Sequence, residues 1–128
     1  MARKLIIVGL MVITTLMNSS FGSALILQGG EKKVEFEKAK SGYMISAKCQ
    51  NCEAEKKLAE LNSTNINELL KKERDQRVAP GTRLCSAMGA LVWVLEDEKH
   101  TEWSICEFKD GSALLTDDLG KVIQKFQQ

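Results

Sequence analysis

Residues 33–38 alternate between apolar and polar, and residues 43–47 can return as a second strand with Tyr43, Ile45 and Ala47 on one side. Alternation with a period of two is typical of a half-buried β-strand. Ser41 and Gly42 separate the two stretches and favour a turn. The pattern therefore predicts a first β-hairpin. Residues 25–30 are apolar and then glycine-rich, and we expect them to be a loosely held start.

The spacing of apolar residues becomes helical in the middle of the chain. Ala54, Leu58 and Leu61 recur at intervals of four and three, which is typical of one helix face. A polar run follows, whose side chains favour caps over helix interiors. We expect Thr64 or Asn65 to begin a second helix there.

A short helix and a second hairpin are predicted next. Pro80 suits the first turn of a helix, and Gly89 suits the position just past its end. Residues 91–95 and 103–108 are predicted strands on either side of a charged tip at 96–100. The first of these strands has no polar interruption, which predicts that both of its faces are covered.

The last part of the chain predicts a terminal helix after a short apolar piece at 113–115. Thr116 is the expected N-cap, and Asp117 and Asp118 fall in the first turn, where the helix dipole stabilises negative charge. The predicted buried stripe contains Leu119, Val122, Ile123 and Phe126.

These elements predict an α+β fold, in which a small antiparallel sheet built from two β-hairpins is packed by two or three helices. Residues 25–128 are enough for one small domain with a modest core. A core of that size favours additional stabilisation by disulfides.

The chain begins with the layout of a secretory signal peptide. Arg3 and Lys4 precede an apolar run at 5–17, and small residues follow it. About 20 apolar residues are needed to span a bilayer, and this run is shorter. We therefore predict that residues 1–24 are a signal peptide and that the mature chain has no membrane span.

The charge balance argues against a nucleic-acid partner. The chain has 18 Lys and Arg and 17 Asp and Glu, and removal of Arg3 and Lys4 leaves 16 basic residues against 17 acidic ones. A nucleic-acid-binding domain is expected to carry a basic excess. Common hydrolase and nucleotide-binding motifs are also missing from the sequence.

Four cysteines are present, at positions 49, 52, 85 and 106. In an exported small domain they are typical of two disulfides, for which the sequence permits three connectivities. Cys49 and Cys52 have the spacing of half a zinc site, but Cys85 and Cys106 do not form the second half. We therefore expect disulfides, with no metal and no cofactor.

The Cys49-x-x-Cys52 pair also admits a catalytic interpretation. Thioredoxin-like proteins place such a pair between a strand and a helix, where the helix N-terminus lowers the pKa of the first thiol. Cys49 would then be the nucleophile and Cys52 the resolving thiol. The aromatic residue usual before that motif is missing, and the intervening elements differ. A structural role is the preferred interpretation.

Other candidates have simpler explanations. His100 lies in the charged hairpin tip, where we expect it to be exposed rather than a metal ligand. Trp93 and Trp103 are expected to be core or cross-strand neighbours rather than partner contacts. Asp117 and Asp118 are explained by their position at a helix start, rather than as paired acids.

One segment resembles a known family. Ala79-Pro80, the run 84–89 (LCSAMG) and the run 106–111 (CEFKDG) are similar to a short bacterial exported domain that carries the name haemolysin and has no known function. The similar module covers residues 79–112. Ala90 and Lys109 depart from its pattern. The resemblance implies a Cys85–Cys106 disulfide, which leaves Cys49 with Cys52, and it implies no catalytic residue.

The sequence as a whole favours an exported protein, periplasmic or secreted, that is stabilised by disulfides and is not an enzyme. Its expected role is to bind a protein or envelope partner. The competing class is a small thiol–disulfide oxidoreductase that uses Cys49 and Cys52.

Overall fold

A computed structural model describes residues 24–127 of the chain. The predicted signal peptide lies outside the described residues, apart from Ala24. The strands in this range are β1 (Leu25–Gly29), β2 (Lys32–Lys38), β3 (Met44–Ser46), β4 (Leu91–Glu96), β5 (Glu102–Glu107) and β6 (Ala113–Leu115). The helices are α1 (Glu53–Glu60), α2 (Ser63–Lys72), α3 (Pro80–Ala87) and α4 (Thr116–Phe126).

The six strands form one closed antiparallel barrel in the order β1-β2-β3-β6-β5-β4. Both predicted hairpins are present, as β2-β3 and β4-β5. The predicted fold of two hairpins packed by helices is nevertheless wrong, because the hairpins are joined into a barrel. Strand β6 joins them on one side, and β1 joins them on the other through the pair Gln28↔Glu96.

Strand β1 is where the prediction failed most clearly. We expected residues 25–30 to be a loosely held start. Residues 25–29 instead form a strand that pairs with β2 from Leu25↔Phe36 to Gly29↔Lys32, and Leu27 in its middle is fully buried. Gly30 has a φ of 60°, a left-handed value that glycine adopts without steric cost, and it turns the chain into β2. A glycine pair that looked like a loose end therefore makes a tight hairpin turn.

The fold has two apolar layers, one inside the barrel and one between the barrel and the helices. Residues opposite each other in an antiparallel pair share a face, so the register separates inward-facing from outward-facing side chains. The barrel interior contains Leu27, Phe36, Leu95, Ile105, Ala113 and Leu115. The second layer lies between the helices and the outer face of β3, β6 and β5, and its buried residues include Ile45, Ile66, Leu84, Cys106, Leu114 and Leu119.

The helix boundaries follow local signals with two corrections. Helix α2 is capped by Asn62, whose side chain and that of Asn65 bond each other's backbone N–H, so the cap is neither Thr64 nor Asn65. Helix α4 has Leu115 at its N-cap. The Thr116 hydroxyl instead donates to the Ser104 carbonyl, which ties α4 to β5.

Candidate functional site

The Cys49-x-x-Cys52 pair forms a disulfide in the loop between β3 and α1, with 5.3 Å between the two Cα atoms. Both residues are half-buried. Cys52 is the N-cap of α1, whereas Cys49 lies three residues earlier. The helix therefore begins after the second cysteine, and the disulfide holds the Cys49 sulfur next to that of the N-cap residue.

The first amides of α1 are bonded to residues of another loop. The Asp110 carboxylate accepts from the Glu53 N–H at 2.7 Å, and the Ser112 hydroxyl oxygen accepts from the Ala54 N–H at 2.9 Å. Ser112 also donates its hydroxyl and its backbone N–H to Asp110. The Ser112 hydroxyl and the Glu53 amide together hold the pKa of Asp110 below its usual value.

This arrangement disfavours a reactive thiolate at Cys52. A helix terminus lowers a thiol pKa through free N–H groups and the positive end of the dipole. Here the anionic Asp110 already occupies the first amide, and Glu53 and Glu55 add negative charge in the first turn. The local field therefore opposes a second anion, which favours a structural disulfide.

A groove of about 680 Å³ lies beside this disulfide. Its walls come from the β2-β3 hairpin, one side of α1 and the last turns of α4. Their apolar surface comes from Ala39, Tyr43, Ile45, Cys49, Leu58, Ala59, Leu61, Val122 and Phe126. Ligand sites in proteins are typically concave, mostly apolar and of this size.

Phe126 was predicted to be in the buried stripe of the terminal helix, but it is 37% exposed. It lies in the last turn of α4, past the buried Val122 and Ile123, so its ring lines the groove. The helical spacing identified the correct face of α4. It did not show where along that face the packing ends.

Lysines surround the groove. Lys38 and Lys40 on the hairpin and Lys125 on α4 line it, together with Glu37 and Glu55. Within residues 24–127, none of the three lysines forms a salt bridge. Lys125 instead lies 5.7 Å from the centre of the Phe126 ring. The groove is therefore apolar inside, and the charged residues that line it are three lysines and two glutamates, a small excess of positive charge.

The second disulfide, Cys85–Cys106, is fully buried and joins α3 to β5 with 5.7 Å between the Cα atoms. All four cysteines are therefore in disulfides, with the pairing that the resemblance implied. Disulfides persist where the environment is oxidising, so the two bridges indicate an oxidising, extracellular-type environment. The described residues contain no cluster of His, Cys, Asp and Glu suited to a metal ion.

The two tryptophans lie on adjacent strands, β4 and β5, and differ in exposure. Trp103 pairs with Leu95 and packs on the interior core, and its indole N–H donates to Asp97 at 3.0 Å. That hydrogen bond is the main cause of the lowered pKa of Asp97. Trp93 pairs with Ile105 but is 40% exposed. A core position was therefore predicted correctly for Trp103 only, whereas the register makes the two tryptophans diagonal cross-strand neighbours on one face, as the alternative expectation had it.

His100 lies at the hairpin tip, as expected, with 86% of its side chain exposed. Its Nδ1 is 3.3 Å from a carboxylate oxygen of Glu96. Asp117 is exposed, whereas Asp118 is buried and accepts from the Met44 N–H at 2.8 Å. Asp118 therefore fastens β3 to α4, a role that the sequence did not indicate.

Comparisons of the chain with family models, with curated proteins and with solved structures give no match. Within residues 24–127, every helix falls short of the length and apolar character that a bilayer crossing requires.

Proposed function

We propose that this chain is an exported, non-enzymatic binding module, periplasmic or secreted. The groove beside Cys49–Cys52 binds an apolar segment of a partner protein whose flanking residues are acidic. Export is supported by the disulfides and by the N-terminal sequence pattern of residues 1–24. The resemblance of residues 79–112 to the exported haemolysin-named domain is part of the same proposal, and the Cys85–Cys106 pairing supports it.

The observation that carries the proposal is an apolar groove edged by lysines that have no salt-bridge partner in the described part of the chain. Apolar surface favours an apolar occupant, because its burial removes that surface from water. The lysines add a preference for negative charge next to the apolar segment. Because the groove is open to solvent, a chain segment can enter it without an opening step.

Thiol–disulfide exchange is the second candidate, because Cys49 lines the same groove. A peptide in the groove would then lie beside the disulfide. The occupied amides of α1 and the acidic first turn oppose this chemistry, since they disfavour the thiolate that exchange requires. Binding without catalysis is therefore the preferred function.

Peptide binding tests the proposal. The probe is a fluorescent peptide with a leucine and phenylalanine centre and glutamate flanks, and its binding is followed by anisotropy. Lys40→Glu combined with Lys125→Glu is expected to raise the Kd about tenfold, because each exposed charge contact is worth up to about 1 kcal/mol. Lys71→Glu combined with Lys72→Glu is the matched control, since both lysines are exposed on α2 and outside the groove.

The control variant is expected to bind like the natural chain, and a peptide with lysine flanks is expected to bind more weakly. Equal binding of the acidic and basic peptides, or no binding of either, would contradict the proposal.

A further inference from the structure

Strand β4 has an unpaired edge. Along its other edge it pairs with β5 from Leu91↔Glu107 to Glu96↔Glu102. Towards β1, Glu96 is its only paired residue among those that the structure describes. Gly29 of β1 still approaches Val94 and Leu95, and beyond it the chain turns into β2. Within the described residues, β1 therefore closes the barrel against β4 only at Glu96, and the edge of β4 from Val94 to Leu91 has no strand partner.

The open part of β4 is apolar and exposed. Leu91 is 62% exposed, Trp93 is 40% exposed and Val94 is 60% exposed. We predicted from the sequence that both faces of residues 91–95 are buried. That prediction is wrong for a single copy of residues 24–127. Natural proteins usually protect a free strand edge with charged residues or proline, because it pairs readily with another strand. Residues 90–94, Ala-Leu-Val-Trp-Val, contain neither.

Trp93 is held in position before any partner arrives. Its indole N–H donates to a Glu107 oxygen at 3.0 Å, and the ammonium group of Lys32 lies 4.8 Å from the centre of its ring. Lys32 also forms a 2.7 Å salt bridge with Glu107. An aromatic side chain that is already ordered loses little conformational entropy on binding, which favours its use as an anchor.

We propose that β4 pairs with β4 of a second copy of this chain, in an antiparallel two-fold dimer. A two-fold interface brings the same segment of each copy together, so a like-charged edge would repel itself. Residues 90–94 carry no charge, and every antiparallel register of this run places apolar side chains opposite apolar ones. The open backbone edges then pair with each other, and the exposed Leu91, Trp93 and Val94 are covered.

The test is the mass in solution of the purified exported protein, measured by light scattering after gel filtration over a range of concentrations. A particle of twice the chain mass is expected. Val94→Lys is expected to raise the dimer Kd at least tenfold, because it places a strongly hydrated charge on the pairing edge. Val94 is largely exposed in one copy, so the variant should keep the melting temperature of its monomer.

Thr64→Lys is the matched control. It also replaces a neutral exposed residue by lysine, but it lies on α2 rather than on β4, and it is expected to leave the dimer intact. Hydrogen exchange of the unmodified protein gives a second measurement, in which those amides of residues 91–94 that point away from β5 are expected to be better protected at high concentration. A monomer at all concentrations, or a dimer that Val94→Lys leaves unchanged, would overturn the proposal.

Discussion

Asp110 shows how much a single exposed residue can contribute to this fold. Its carboxylate closes its own turn through Ser112 and also accepts from the first amide of α1, more than fifty residues earlier in the chain. The sequence marks Asp110 and Gly111 only as a turn. The link to α1 depends on where the Cys49–Cys52 loop places that helix, so it is visible only in the folded chain.

Asp110→Asn tests this contribution through pH. The hydrogen bonds lower the pKa of Asp110 in the folded state below the ordinary value of about 3.9. The ionised carboxylate therefore stabilises the fold above that pH, and the stabilisation is lost as the pH falls through the lowered folded pKa. Urea denaturation is expected to show the variant less stable at neutral pH, with the difference shrinking below about pH 4.

Glu98→Gln is the control, because Glu98 is exposed at the hairpin tip. This substitution is expected to change the free energy of unfolding less than Asp110→Asn does. If Asp110→Asn lowered the free energy of unfolding by the same amount at every pH, this role for the carboxylate would be ruled out.

At the scale of elements, α3 and α4 pack closely against each other in the outer layer. Gly81 in the first turn of α3 is buried against the start of α4. A Cβ atom at this position would collide with the Thr116 carbonyl oxygen and lie 2.9 Å from the Gly120 nitrogen. Both obstacles are backbone atoms, which cannot move aside as a side chain can. The two helices therefore approach this closely only because residue 81 is glycine.

Gly81→Ala is expected to lower the free energy of unfolding by about 1–3 kcal/mol, which is the usual cost of overpacking a well-packed site. Gly120→Ala is the matched control on the facing helix, because a Cβ atom there meets no atom within 4 Å. That change is expected to be neutral or to stabilise by up to about 1 kcal/mol, since alanine favours helix more than glycine does. Chemical denaturation of both variants measures the difference, and equal effects would contradict the close helix crossing.

At the scale of the whole molecule, the two disulfides act on very different spans of chain. Cys85–Cys106 joins residues 21 apart and is buried between α3 and β5, whereas Cys49–Cys52 joins residues only 3 apart in a half-buried loop. A bridge over a longer span removes more freedom from the unfolded chain. Cys85–Cys106 is therefore expected to be the main covalent support of the fold.

Replacement of both cysteines of one disulfide by alanine tests which bridge contributes more to stability. Loss of Cys85–Cys106 is expected to cost about 3 kcal/mol or more, and loss of Cys49–Cys52 about 2 kcal/mol. The melting temperature should fall further for the first double variant. The natural chain is also expected not to catalyse the reduction of insulin by dithiothreitol. Catalysis that Cys49→Ser removes, with stability unchanged, would identify the protein as an oxidoreductase instead.

The sequence by itself determined the elements whose signals are local. Alternation at residues 33–38 located the first hairpin, two apolar runs around a charged tip located the second, and proline and glycine marked the two ends of α3. The charged tip with His100 and the buried stripe from Leu119 to Ile123 also follow from short-range patterns. These features depend on backbone geometry over a few residues, so nearby residues are enough to predict them.

Only the tertiary structure decided how those elements close into a barrel. The pairs that close the barrel, β1 with β4 and β3 with β6, join segments far apart in the sequence, so no local pattern predicts them. The same is true of the groove and of the unpaired edge of β4, because the exposure of a residue depends on which distant elements pack against it and on where those elements end. An apolar run such as residues 91–95 predicts a strand, but the burial of that strand's two faces depends on the tertiary structure.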